Sequence, residues 1–225
     1  MKKSNLYLFF TVLFTSCVLI SNIIAIKTFQ VGPWTLPCAV IVFPISYIMS
    51  DVIAEVYGFA AARKTMWLGF SMNLLMVIMF QITIALPAPS YFTGQEAVAM
   101  VMGNTPRLLA SGLISYIIGS WANATVLSAM KRKTVESGGK GFGARAVVST
   151  LVGEFIDSLI FIPLAFYGTM PLGSLGTMIL LQPTVKTVYE ILVLPFTYRL
   201  VTWVKKTEGI DTYDVGVQYK LFGKV

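Results

Sequence analysis

Three apolar stretches of this sequence each carry two ionisable side chains about one helical turn apart. The pairs are Asp51 with Glu55, Glu154 with Asp157, and Lys186 with Glu190. A carboxylate at the centre of a bilayer costs roughly 2.5–3.5 kcal/mol on insertion scales, so such residues are rare unless they serve a function. Buried carboxylates attract protons, cations or hydrogen-bond donors. We therefore interpret the pairs as parts of one binding site or pathway inside a membrane.

The composition requires lipid around most of the chain. Apolar residues make up 56% of the 225 residues, charged residues only 12%, and the mean hydropathy is +0.76. A soluble domain usually carries about 25% charged residues. The net charge of +7 does not indicate nucleic acid, because the basic residues lie in short segments beside apolar runs, where they set topology and meet anionic lipid.

Six apolar runs are long enough to cross a bilayer at 1.5 Å per residue. We predict an all-α integral membrane protein, a six-transmembrane-helix bundle that forms a single domain over residues 1–225. The predicted spans are Leu6–Ile26, Leu36–Tyr57, Thr65–Leu86, Pro106–Met130, Ala146–Tyr167 and Ser174–Val204, and residues 205–225 form a tail. With the N-terminus in the cytoplasm, thirteen basic residues lie inside and two outside. This bias predicts that both termini are cytoplasmic and that the chain crosses the membrane several times.

The second predicted span combines a polar stripe with a helix-breaking residue. Tyr47, Asp51 and Glu55 follow one another at intervals of four residues, so they share one helix face. Pro44 precedes them and is expected to kink or open the helix. Glu55 lies near the predicted cytoplasmic end, where an ion pair with Arg63 or Lys64 is an equal alternative to a role in gating.

The fifth and sixth predicted spans supply the deepest charges. Glu154 and Asp157 are too close for both to ionise easily, so they share a proton or have a cationic partner. Lys186 is the candidate for that cation, and a structural ion pair with it is the simpler alternative. Glu190 follows Lys186 by one turn, between Pro183 and Pro195. A cavity with more acids than bases favours cations, protons or hydrogen-bond donors over anions.

Several other polar residues are weaker candidates for the same cavity. Ser111, Ser115, Gly119 and Asn123 recur every four residues, which usually indicates close helix packing, although the Asn123 amide could reach the cavity. The aromatic candidates for stacking on a flat ligand are Tyr47, Tyr116 and Tyr189. Asn22 is a deep amide in the first span. Arg107 is either a headgroup anchor or an external gate.

These residues resemble the queuosine precursor transporter family, also called the vitamin uptake transporter family. The resemblance covers essentially the whole chain. Its segments are Ser21–Ala25, Pro44 to Asp51 with Glu55–Gly58, Arg107 with Ser115, Tyr116 and Gly119, the run Ser149–Ser158, and Lys186, Tyr189, Glu190 and Pro195. The most specific part is the pattern Ser-Thr-x-x-Gly-Glu-x-x-Asp-Ser in Ser149–Ser158.

The resemblance implies a fold similar to six-helix vitamin-binding S-components and a function in carrying 7-deazaguanines such as preQ0, preQ1 or queuine across the inner membrane. A carboxylate could then accept the two adjacent N–H donors of the guanine-like edge. Asp157 or Glu154 is the residue expected to do so, with Asp51, Lys186 and Glu190 completing the site.

Two alternatives to an independent importer stay open. One is a substrate-binding S-component that needs an ATPase partner. The other is a membrane-embedded enzyme, which is less favoured because the chain has no histidine for a zinc or serine–histidine site. We predict no catalytic residue, metal site or cofactor, no nucleic-acid partner, and either a proton or a sodium ion as a possible coupling ion.

Overall fold

The computed structural model describes residues 5–24, 27–31, 34–103, 106–134, 141–168 and 172–222. The chain begins with helix α1 and a short antiparallel hairpin, and it continues as helices. The elements are α1 Asn5–Ile24, β1 Thr28–Val31, β2 Trp34–Pro37, a 3-10 helix Cys38–Ile41, α2 Phe43–Val52, a π-helix Ile53–Tyr57, α3 Phe59–Ala85, α4 Gln95–Met102, α5 Pro106–Arg132, α6 Phe142–Phe166 and α7 Leu172–Glu208.

Among the described residues, five helices are long and apolar enough to cross a membrane. They are α1, α3, α6, residues Ala110–Arg132 of α5 and residues Leu175–Glu208 of α7. Large apolar side chains such as Leu180, Leu192 and Phe196 are exposed on the outside, whereas many buried side chains are polar. This arrangement suits a lipid environment, and the prediction of a multi-pass membrane protein is confirmed.

The second predicted span, Leu36–Tyr57, is not one continuous helix. Its first residues belong to β2 and the 3-10 helix, and only Phe43–Val52 forms an α-helix. Pro44 lies in the first turn of α2, where a missing backbone N–H costs nothing, so the α-helix begins beside Pro44 and does not continue through it with a kink. The loop predicted around residues 87–105 also contains a helix, α4. The count of six spans stays a prediction.

The closest helix packing lies between α5 and α6. A Cβ atom on Gly119 would lie 3.0 Å from the Gly153 carbonyl oxygen and from Cβ of Asp157. A Cβ atom on Gly153 would lie 2.8 Å from Cβ of Asn123. Since only glycine permits this approach, the predicted packing role of Gly119 is confirmed, and the crossing brings Asn123 and Asp157 towards the centre of the bundle.

The last helix is longer than predicted and does not break. α7 runs unbroken over 37 residues with Pro183 and Pro195 inside it. After α7, residues 209–222 turn back and pack against the ends of α3 and α5. The Thr212 amide donates to the Val56 carbonyl over 3.0 Å, and the Trp121 indole donates to the Tyr219 carbonyl over 3.3 Å. This returning segment is called the C-terminal strap below.

Candidate functional site

Polar side chains from α2, α5, α6 and α7 meet inside the helix bundle. We call this group the central polar cluster. Its members are Tyr47 and Asp51 of α2, Asn123 of α5, Thr150, Glu154 and Asp157 of α6, and Lys186 and Glu190 of α7. Helix α2 begins immediately after a 3-10 helix and contacts α1 and α7, which places its polar face towards α7.

Helix α6 shows how the sequence builds this cluster. Thr150, Glu154 and Ser158 recur every four residues and are buried. Leu151, Phe155 and Leu159 recur with the same period about 100° further round the helix and are exposed. The amphipathic pattern of a soluble helix is thus inverted, with the polar face inside the protein and the apolar face towards lipid.

Lys186 neutralises one acid of the cluster. Its ammonium forms an ion pair with Oε2 of Glu154, and its Nζ lies 5.9 Å from the centre of the Tyr47 ring. Asp157 lies within the electrostatic range of Lys186 and Glu154, and the Ser115 hydroxyl interacts with it. The ion pair between Glu154 and Lys186, expected from the sequence as the simpler alternative, is therefore present in the fold.

Asp51 and Glu190 form a second pair of acids, and no basic side chain of the described residues pairs with either of them. Asp51 is 2% exposed and Glu190 is 7% exposed, and the two carboxylates interact directly. Oδ1 of Asp51 and both carboxylate oxygens of Glu190 are buried without a hydrogen-bond partner among the described residues. Oδ1 of Asn123 and Oγ1 of Thr150, the polar neighbours of these acids, are also unpartnered within that part of the chain.

A different kind of cluster surrounds Glu55 in the π-helix. We call it the terminal charged cluster, and its members are Glu55, Lys131, Arg145, Lys205 and Asp211. Oε1 of Glu55 lies 2.7 Å from Nη2 of Arg145, 2.8 Å from Nζ of Lys205 and 3.8 Å from Nζ of Lys131. Both lysines also pair with Asp211. The expected pairing of Glu55 with Arg63 or Lys64 was wrong; Arg63 instead donates to the Lys220 carbonyl over 2.8 Å.

The C-terminal strap completes the terminal charged cluster. It supplies Asp211, and the Lys131 ammonium donates to the Thr212 carbonyl over 2.7 Å. Burial opposes ionisation of Asp211, but the hydrogen bonds and charges of Lys131 and Lys205 outweigh it and hold the pKa of Asp211 below its ordinary value. Asp214 of the strap accepts hydrogen bonds from the Phe59 amide at 2.9 Å and from the Ser128 hydroxyl.

Comparison with known proteins found a matching family and a curated relative, and both are described as transporters. Residues 37–200 match the sequence model of a family described as "Putative vitamin uptake transporter". The chain belongs to the vitamin uptake transporter family. A curated relative from Bacillus subtilis (strain 168), described as "Probable queuosine precursor transporter", is 26% identical over 178 residues, which is 79% of this chain and 77% of the relative. No solved structure matches the chain.

The membership confirms the family that the sequence resemblance indicated. The matched range of the vitamin uptake transporter family contains every member of the central polar cluster. It ends before Lys205 and Asp211, so the part of the terminal charged cluster that closes around Glu55 lies beyond it.

The structure does not bring all the predicted residues of this family member into the central polar cluster. Asn22 donates to Oδ1 of Asn73 at 2.9 Å, which joins α1 to α3. The Tyr116 hydroxyl donates to the Met66 carbonyl at 3.3 Å, and Tyr189 is 40% exposed on α7. Arg107 is exposed and donates to the carbonyls of Leu164 and Tyr167 at 2.6 and 2.7 Å, so it caps the end of α6.

Pro183 is buried within α7, one residue before Thr184 and three before Lys186. Its backbone nitrogen cannot donate to the preceding turn, so a carbonyl of α7 is freed just ahead of the Lys186–Glu154 ion pair. Pro183 is thus close to the central polar cluster along the helix, as expected for a position that permits bending.

Sequence reasoning missed the terminal charged cluster. Lys131, Arg145 and Lys205 were interpreted as topology charges because each lies at the end of an apolar run. In the structure Lys131 and Arg145 are almost fully buried. The signal that could have found them is the acid Glu55. A buried acid requires a buried basic partner, and Lys131, Arg145 and Lys205 were also available for that role.

Proposed function

We propose that this protein imports queuosine precursors, 7-deazaguanines such as preQ0, preQ1 or queuine, across the inner membrane of a bacterium or archaeon. It does so as a single six-span domain with cytoplasmic termini. The observation that carries the proposal is the central polar cluster, an excess of carboxylates inside a member of a transporter family. The relative's description as a queuosine precursor transporter supports the choice of substrate.

The chemistry of the cluster suits a deazaguanine. The guanine-like edge presents a ring N–H and an amino group side by side, and one carboxylate accepts both with charge-assisted strength. Asp157 and Glu154 are the proposed acceptors, and Asp157 is the better of the two because Glu154 already pairs with Lys186. The Tyr47 ring beside Lys186 offers an aromatic face for the purine-like ring.

Movement of the substrate requires the two sides of the membrane to open in turn. Pro183 and Pro195 interrupt the hydrogen bonding of α7, and the π-helix interrupts the end of α2. These interruptions lie on either side of the central polar cluster along the chain, where bending would open one side at a time. We therefore propose alternating access around that cluster.

Uptake by proteoliposomes tests the proposal. The purified chain is reconstituted alone, and entry of radiolabelled preQ1 or queuine is measured, with an excess of unlabelled compound inside to drive exchange. Exchange above empty liposomes is expected. A protein that binds the compound but never moves it would instead be a substrate-binding S-component, and conversion of the compound would indicate an enzyme.

The Asp157→Asn variant tests the assignment of the site. We expect it to abolish uptake because the neutral amide replaces an acceptor by a donor at the substrate edge, while the monodisperse peak in detergent is kept. Glu96→Gln is the matched control, since Glu96 is exposed in α4, far along the chain from the cluster. Wild-type uptake by well-expressed Asp157→Asn protein would contradict the assignment.

A further inference from the structure

The acids of the central polar cluster differ in how their charge is balanced. Glu154 has Lys186 as its counter-ion. For Asp51 and Glu190, no lysine or arginine nitrogen of the described residues lies within 4.0 Å. The carboxylate oxygens of the two residues nevertheless interact with each other inside the bundle. Two negative charges in contact within a low-dielectric interior are not stable, so the compensating positive charge must come from outside the described residues.

The polar groups that face the pair from α5 and α6 are uncharged. Asn123 of α5 reaches Asp51, and Thr150 of α6 reaches Glu190. The remaining charged groups that act on the pair are Glu55, on the π-helix, and Glu154, on α6, and both are negative. Both of these already have basic partners within 4 Å.

The unpartnered atoms of these four residues are oxygens of the kinds that bind cations. Oδ1 of Asp51, Oδ1 of Asn123, Oγ1 of Thr150 and both carboxylate oxygens of Glu190 are buried and accept no hydrogen bond within the described chain. They come from four different elements, α2, α5, α6 and α7. Carboxylate, amide and hydroxyl oxygens are the ligands that hard cations prefer, and a carboxylate pair equally well holds a shared proton.

We propose that Asp51 and Glu190, with Asn123 and Thr150, form the site for a monovalent coupling cation, a proton or a sodium ion. A proton forms an O–H bond with one carboxylate and is shared with the other; it returns to water on the opposite side. A sodium ion is held by the same oxygens without bond formation. Because the site bridges α2 and α7, its occupancy decides whether these elements repel or hold together. This inference rests on the proposed transport function.

The test is uptake of radiolabelled preQ1 or queuine by proteoliposomes under imposed gradients. One arm imposes a pH gradient in potassium buffer, and the other a sodium gradient at equal pH. Wild type is expected to accumulate the label at least tenfold more under one of the two gradients than under neither. Accumulation that responds to neither gradient overturns the proposal. Exchange of label without any gradient measures transport itself. Absence of that exchange would contradict the proposed function and not the cation site.

Substitutions of the proposed ligands test where the cation binds. In Asp51→Asn and Glu190→Gln the ratio of accumulation with and without the effective gradient is expected to fall to about one, and in Thr150→Val it is expected to fall less. Glu96→Gln should keep the wild-type ratio. A wild-type ratio in both acid variants overturns the assignment.

A second measurement covers the case in which an acid variant does not fold. For wild-type protein, substrate-driven movement of protons is followed with a pH dye inside the vesicles, and that of sodium with radioactive sodium. One of these ions is expected to enter with the label in a fixed ratio. Movement of neither ion with accumulating substrate overturns the proposal.

Discussion

The central polar cluster and the terminal charged cluster contain similar residues but opposite charge balances. Around Glu55, three basic side chains and Asp211 form a network in which every charge has an opposite charge within 4 Å. Around Asp51 and Glu190, no basic side chain of the described residues reaches the acids, and five oxygen atoms have no hydrogen bond. The acids Glu55, Asp51 and Glu190 are all buried.

The charge balance of a cluster distinguishes a structural role from a functional one better than the burial of its side chains does. A buried network in which each charge has an opposite charge holds neighbouring elements together, even though Oε2 of Glu55 and Nε of Arg145 have no hydrogen-bond partner among the described residues. A buried group of acids that lacks its counter-charge is complete only when a ligand or an ion arrives. On this ground we assign the terminal charged cluster to fold stability and the central polar cluster to transport.

The largest expected effect is on stability, from Glu55→Gln. Removal of one partner of a buried ion pair typically costs about 3–5 kcal/mol, because the opposite charge is left buried and unpaired. Here Arg145 would lose its acidic partner, whereas Lys131 and Lys205 would keep Asp211. Thermal unfolding in detergent measures the loss, and Lys206→Gln is the matched control because Lys206 is exposed beside Lys205. A Glu55→Gln protein that is as stable as the control but inactive in uptake would show that the terminal charged cluster serves transport and not stability.

The ion pair inside the central polar cluster should show an intermediate effect. A double-mutant cycle with Glu154→Gln and Lys186→Met is expected to give a coupling free energy of about 1–3 kcal/mol, since each single change strands the other charge. The double variant should be more stable than the sum of the single changes predicts, yet should not transport. A coupling free energy near zero, from the same unfolding measurement, would show that Lys186 serves another acid of the cluster.

The attachment of the C-terminal strap should contribute less. Asp214→Ala leaves the Phe59 amide without its acceptor, which costs about 1–3 kcal/mol for a buried group, and leaves the Ser128 hydroxyl with the Tyr219 hydroxyl as its partner. Limited proteolysis should cut the strap earlier in this variant than in wild type. Gln218→Ala, on the same segment, is the control, and equal cutting in the two variants would contradict the attachment.

The smallest effect is expected at Asp211, and its pH dependence has a definite sign. The pKa of Asp211 is lowered in the folded protein, so its contribution to stability is present above the ordinary aspartate value and is lost as the pH falls below it. The stability difference between wild type and Asp211→Asn should thus stay constant from pH 5 to 8 and shrink only below about 4. It should stay below about 1 kcal/mol, because the side chain is partly exposed. Unfolding curves across pH measure it, and a midpoint near pH 6 would contradict the assignment.

The sequence predicted the membrane environment and the polar residues of α6 and α7 well. Apolar runs with inward polar faces carry a strong local signal, and the spacing of Thr150, Glu154 and Ser158 places them on one face without further information. The interruption of the second span was harder to predict. Pro44 indicates that a helix begins or ends nearby, but it does not indicate on which side of Pro44 the helix lies. The hydrogen bonds of the 3-10 and π segments depend on packing against α1 and α3.

The partners of each acid could not be predicted from spacing. Glu55 and Arg145 are 90 residues apart, and Glu55 and Lys205 are 150 residues apart. Nothing local distinguishes Arg145 from a lysine or arginine that merely marks the membrane surface. The same limit applies to Asp51 and Glu190, whose proximity depends on how α2 and α7 pack.

The wide spacing of the residues around Glu55 has a consequence for biogenesis. Chains are made at about 5–20 residues per second, so Lys205 leaves the ribosome roughly 8–30 seconds after Glu55. Lys131 and Arg145, the other basic partners, follow Glu55 by 76 and 90 residues, so until they arrive the acid must enter the bilayer in its neutral form or be sheltered by the insertion machinery. The late arrival of Lys205 and Asp211 then acts as a quality check, because a nascent protein whose second helix has entered at the wrong depth cannot close this network.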